Sequence, residues 1–155
     1  MRPNRFHLPV LAAVAIALAA CTTQEVGRDV SQTPAVGELE VAPALTVERF
    51  LAAVNADEWE SMGRLFGTSE GPFGDRNSRE DVELRMNAIA LILKHEDFVV
   101  RNQRRVPGRE RTTMRLGVDL TVRGELIEDV AFLVVLAESG SWLIEEIDLV
   151  KVTSS

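Results

Sequence analysis

This 155-residue chain predicts an α+β domain, and three observations carry that expectation. Apolar residues recur with a helical period from about residue 46 to residue 93. From residue 98 the period drops to two and stays there almost to the C-terminus. Pro107-Gly108, Gly124 and Ser139-Gly140-Ser141 separate the alternating runs, and these residues suit tight turns. Three helices followed by an antiparallel meander predict helices packed in a strongly curved antiparallel sheet.

Thr46 is placed to cap the first helix, in which Val47, Phe50, Leu51 and Val54 recur at i, i+3, i+4 and i+7. Asn55-Ala56 interrupts it. Asp57 with Glu60 forms a capping-box spacing for a shorter second helix that aligns Trp59, Met62, Leu65 and Phe66. Residues 67–77, with Gly67, Gly71, Pro72 and Gly74, read as a loop. Ser78 with Asp81 starts a third helix whose buried face is Val82, Met86, Ile89, Ala90 and Leu93. Leu84, Leu91 and Ile92 widen that face and predict cover on more than one side.

Residues 98–105 form the first candidate strand. The next strand places Thr112, Met114, Leu116, Val118, Leu120 and Val122 on one face. Arg111, Thr113, Arg115, Asp119, Thr121 and Arg123 take the other face. Residues 127–137 are nearly all apolar and predict a central strand covered on both sides. In the last strand Trp142 and Ile144 share one parity while Ile147 and Leu149 share the other. The inserted Glu145-Glu146 therefore predicts a β-bulge.

The run from Val47 to Glu60 (VERFLAAVNADEWE), ending in Leu65-Phe66, resembles the opening helices of the nuclear transport factor 2-like (SnoaL-like) superfamily. Gly140-Ser141-Trp142-Leu143-Ile144 resembles its final strand. Over residues 45–152 the resemblance implies a cone-shaped α+β barrel whose sheet wraps a helix, with room for a pocket at the open end. It implies little about function, because this fold hosts isomerases, dehydratases, hydrolases, binding modules and non-catalytic proteins. Enzymes of the superfamily often pair Asp with His or Tyr inside the cone. This chain has no tyrosine, so a Tyr-based oxyanion hole does not carry over.

The N-terminal segment speaks to location. Arg2 and Arg5 form a basic start, residues 8–20 are an uncharged Ala/Leu/Val-rich run, and small residues lead to Cys21. Leu18-Ala19-Ala20-Cys21 resembles the lipobox of bacterial lipoproteins. In that family the thiol receives a diacylglyceryl group, the peptide is cut before the cysteine, and the new amine is acylated. The alternatives are a lone buried cysteine in a hydrophobic helix and an uncleaved membrane anchor. A span needs roughly 20 apolar residues, whereas residues 8–21 supply 14, interrupted by Pro9. Two or more acyl chains hold a protein stably where one does not. Thr22 rather than Asp follows the cysteine, which by the family's sorting rule implies the outer membrane, facing the periplasm. Three parts are expected: a signal peptide over 1–20, a lipid-anchored flexible tether over 21–44, and the α+β domain over 45–155. The tether carries Thr, Ser, Gln, Gly, Pro34 and Pro43 with no helical or alternating period. An extra strand through Leu39-Glu40-Val41 is the competing reading.

Without residues 1–20 the chain carries 24 acidic and 15 basic side chains, a balance of −9. Such a domain lacks the basic footprint that nucleic acid requires. With Cys21 acylated no thiol is left for a disulfide, redox or metal role. No P-loop, dinucleotide fingerprint, metal-spaced ligand set or Ser-His-Asp pattern is present, so no cofactor and no metal is expected.

Asp119 is one candidate for chemistry, flanked at pleat spacing by Arg115 and Arg123. If its face points into the cone it is placed as a general base whose pKa arginines lower. If its face points to solvent, the trio is a row of surface charges. His95, the one histidine after residue 20, follows Lys94 at a helix C-terminus, where a cation suits the helix dipole. It is either structural or a partner of Asp119. Arg101, Arg104, Arg105 and Arg111 form a local basic excess that is either an anion patch or a set of partners for neighbouring carboxylates. Two functions follow as expectations. One is a non-catalytic envelope lipoprotein held in the bilayer by acylated Cys21 and binding a small apolar ligand or an envelope protein. The other is an envelope enzyme of the same fold that uses Asp119, with or without His95.

Overall fold

The computed structural model describes residues 36–154, and their side chains from Ala42 onward. The expected signal peptide, Cys21 and the expected tether as far as residue 35 lie outside the described residues.

The first helix, α1 (Val36–Asn55), begins well before Thr46. Residues 36–44, expected as the end of the tether or as a strand over 39–41, belong to this helix. Thr46 is therefore no cap: its hydroxyl donates to the Ala42 carbonyl one turn back, at 2.9 Å. Pro43 inside a helix removes a backbone bond. Burial of Pro43 and packing of Ala44 against the core offset that loss. The helix ends in a Schellman arrangement, with Glu58 N–H donating to the Ala53 carbonyl and Asp57 N–H to that of Val54.

Asp57 takes the left-handed conformation in that motif, at φ 56°. Its carboxylate is thereby turned to Lys94 Nζ, 2.8 Å away, instead of capping the next helix. The N-cap of α2 (Trp59–Leu65) is Glu58, with no side-chain bond. The expected loop contains a small hairpin, β1 (Gly67–Thr68) with β2 (Gly71–Pro72), and the one-turn α3 (Phe73–Arg76).

α4 (Arg79–Leu93) starts as expected, with Ser78 Oγ accepting the Asp81 N–H. Val82, Met86, Ile89, Ala90 and Leu93 are its buried face. Leu84 and Leu91 do not widen it. They are 70% and 69% exposed, because only one side of the helix meets other elements.

The second half folds into one antiparallel sheet in the order β3 (Asp97–Arg105), β4 (Thr113–Val122), β5 (Glu125–Leu136), β6 (Trp142–Ile147). Arg123-Gly124, at φ 53° and 79°, makes the two-residue β4–β5 turn, the left-handed geometry that matches strand twist. Three bulges bend the sheet. Arg101 is an extra residue in β3, Glu128-Asp129 stand opposite Asp119, and Glu145 is an extra residue in β6. The sheet does not close into the expected barrel. β3 and β6 remain as edges, since four strands are too few to meet around a core.

β5 is central, as expected, but its faces differ. Ile127, Val130, Phe132 and Val134 are buried in the main core. On the far side only Val135 and Ala137, with Leu143 of β6, form a small second cluster. Trp59 and Trp142 are half-buried rather than central. Leu116, Val118, Leu120, Phe132, Val134 and Ile144, all at 0% exposure, pack against Phe50, Leu51, Val54, Met62, Met86 and Leu93 of the helices. Finally α5 (Leu149–Thr153) adds Val152 to the same core.

Candidate functional site

Asp119 belongs to the sheet face opposite the helices, yet only 9% of its side chain is exposed. The bulges account for this. The extra residue in β3 puts the Arg101 guanidinium beside the carboxylate, with Nε donating to Oδ2 at 2.7 Å. The bulge in β5 turns the Asp129 N–H toward the same group, donating to Oδ1 at 2.9 Å. Asp129 is in the left-handed conformation, φ 51°, and Asp119 satisfies the amide that this conformation withdraws from the ladder. The bond from Arg101, then that from Asp129, holds the Asp119 carboxyl below the usual carboxylate range.

Neither strand neighbour expected beside Asp119 pairs with it. Arg115 instead makes two bonds to Asp129, at 3.0 and 3.2 Å, and keeps that carboxyl low as well. Arg123 lies in the β4–β5 turn. Gly117 makes room for the cluster, because a Cβ there would collide with Asp129 Oδ1 and stand 2.8 Å from the Asn102 carboxamide. Asp119 thus has a donor on each oxygen and a lowered affinity for protons, a combination that suits a structural anion better than a general base.

His95 is buried and faces elsewhere. Its Nδ1–H donates to the Leu93 carbonyl at 2.9 Å, and Asn55 Nδ2 approaches Nε2 at 3.3 Å. That assignment follows from the partners, since the carbonyl only accepts. The Asn55 carboxamide also bonds both the N–H and the C=O of His95. The ring meets Phe98 edge-on, 5.4 Å between centroids. His95 and Asp119 share no partner, and the structure does not bring them together.

The four arginines are spread out. Arg101 serves Asp119, and Arg105 donates to the Glu110 carbonyl at 3.0 Å. Arg104 stands opposite Arg115 in the ladder, and Arg111 lies in the β3–β4 connection. Two carboxylates from the expected partners are taken by other arginines, Asp129 by Arg115 and Glu145 by Arg109. Among the described residues no three His, Cys, Asp or Glu side chains gather as a metal site. No helix among the described residues is long and apolar enough to cross a membrane.

A groove of 360 Å³ lies where α4 meets the end of β6 and α5. Phe66, Ile89, Ile92, Ile147 and Leu149 line it, with Arg85 on α4 and the Glu145-Glu146 segment of β6 at its margin. The Arg85 guanidinium rests 5.3 Å from the Phe73 ring centroid and 5.8 Å from that of Phe66. Sequence reading misses this groove, because Ile89 and Ile92 read as core and Arg85 as a surface charge. The aromatic residues 66 and 73, close in sequence and separated by two glycines, were the available signal.

The fold and its surface define a small α+β domain with an open four-stranded sheet and an external groove. No protein-family model matches the chain, and no curated protein matches it.

Proposed function

We propose that this chain is an exported lipoprotein whose α+β domain is a non-catalytic binding module held at the outer membrane by acylated Cys21. The basic start, the apolar run of residues 8–20 and the small residues before Cys21 support the anchor. The order of helices, short hairpin, helix and four antiparallel strands supports kinship with the nuclear transport factor 2-like superfamily, in an open-sheet form.

One observation carries the choice of binding over catalysis. The space between sheet and helices, where enzymes of that superfamily keep their acid–base pair, is filled here by side chains at 0% exposure. The two candidate catalytic groups lie apart, each committed to neighbours. A ligand or an envelope protein then meets the domain on its outside.

Metabolic labelling with a fatty acid tests the anchor. Label is expected in the native chain, with loss of label and of cleavage before residue 21 in Cys21→Ser. Label retained in the Ser variant overturns the lipoprotein reading. Fractionation of the native protein into the inner membrane overturns the outer-membrane assignment alone.

A further inference from the structure

The two edges of the sheet are not alike. At β6 the Phe66 backbone bridges Ile144, so that edge has a neighbour from the helical half. Among the described residues β3 has β4 on one side and no strand on the other, and none of its nine residues is buried. Its outer row of N–H and C=O groups is a template for another strand.

Charge along this edge has a direction. The segment begins Glu96-Asp97, passes through Phe98, Val99 and Val100, and ends Arg104-Arg105. Asp97 and Arg104 are both exposed, and neither makes an ion pair among the described residues. Their odd separation would set them on opposite faces of a regular strand. The bulge at Arg101 corrects this. Asp97 stands beside Thr121 and Arg104 beside Arg115, both on the sheet face that carries Asp119.

Val100-Arg101 therefore acts as one place in the ladder, opposite Val118. Val99, Phe98, Asp97 and Glu96 lead away from it in one direction, and Asn102, Gln103, Arg104 and Arg105 in the other. A second β3 laid antiparallel about that place sets Asp97 opposite Arg104 and Glu96 opposite Arg105, each twice by symmetry. The two bulges meet at the axis and leave the paired halves regular. Parallel pairing in register opposes like charges instead. Sliding the antiparallel pair by two places leaves Asp97 and Arg104 without an opposite charge. Edge charges ordinarily guard against pairing, and these favour one partner in one register.

We propose that β3 is an interface for a second copy of this chain, joined antiparallel about Val100-Arg101 so that the two sheets become continuous. Edge pairing covers little area, so the dimer is a weak, concentration-dependent one. It does not depend on the Cys21 anchor.

Sedimentation equilibrium of the full chain in a density-matched neutral detergent, which suppresses clustering through the N-terminal segment, tests this. A monomer–dimer equilibrium is expected, shifting to monomer as salt rises from about 0.05 to 0.5 M. Asp97→Arg and Arg104→Asp should each weaken self-association about tenfold, because each sets like charges opposite one another at two places. Mixed together, the two variants should associate with each other, and the doubly reversed chain should dimerise like the parent. Both side chains are exposed, so all three variants should melt like the parent. Asp97→Asn and Arg104→Gln, expected to weaken the dimer about threefold, carry the test if a reversal does not fold. A parent that stays monomeric at about 1 mM overturns the proposal. So does self-association that ignores the substitutions, or failure of the mixed or doubly reversed variants to associate.

Discussion

Ionised Asp119 gains Arg101 and the Asp129 amide only when β3, β4 and β5 are paired, so folding and ionisation are linked at this residue. Its folded pKa lies below the unfolded value of about 3.9. The stabilisation is therefore fully present above that pH and is lost as pH falls through the folded pKa. Asp119→Asn should flatten the acid limb of stability below about pH 4, read from thermal melts between about pH 2 and 7. An unchanged acid slope would show that the carboxylate contributes nothing to it. The side chain was legible in sequence as the one acid on the polar face of β4. Its partner was not, because Arg101 reaches it only through a bulge, and the polar residues 102–105 that follow show no switch of parity to mark it, unlike the switch at Glu145-Glu146. His95 was legible as a residue at a helix end. Its clamp by Asn55, from the far end of α1, is a contact across 40 positions that no local pattern encodes.

On α4, Leu91 and Leu93 differ by two positions and by almost everything physical. Leu93 is fully buried and Leu91 is 69% exposed. Leu93→Ala should cost about 2–5 kcal/mol, while Leu91→Ala should stay within about 0.5 kcal/mol. Chemical denaturation of the pair checks it, and equal costs would mean that Leu91 has a partner. The contrast also marks the limit of element-scale reading. The Val82–Met86–Ile89–Leu93 stripe and the Ser78 cap were readable because they obey the helical period and a cap rule. Leu84 and Leu91 are as apolar as their buried neighbours, and only the arrangement of surrounding elements decides that they face outward. The alternation of β4 was readable for the same reason as the stripe. The start of α1 was not, since Pro43 reads as a stop and its burial is a tertiary effect.

For the molecule as a whole, the start of α1 at Val36 sets where an independent domain has to begin. A fragment of residues 36–155 should melt like a chain that begins at residue 21. A fragment of 45–155 should melt several degrees lower, because it loses the first turns of α1 and the packing of Pro43 and Ala44. Equal melting of the two fragments would show that residues 36–44 add nothing to the fold. The charge distribution also belongs to this scale. Arg101–Asp119, Arg115–Asp129 and Arg109–Glu145 neutralise much of the sheet's basic excess internally.

The bulges have one more consequence. In a regular strand, removing any residue inverts every side chain on one side of the gap and turns the core outward. At Arg101 and Glu145 the ladder already skips a residue, and the pairings on either side keep their faces without it: Val100 with Val118 and Gln103 with Leu116, Ile144 with Val134 and Ile147 with Phe132. These are the places where the sheet tolerates a change in chain length, as an expansion joint absorbs movement in a rigid deck. A shortening there straightens the strand and spares the core, while the same shortening at Arg115, within the uninterrupted run of β4, scrambles it.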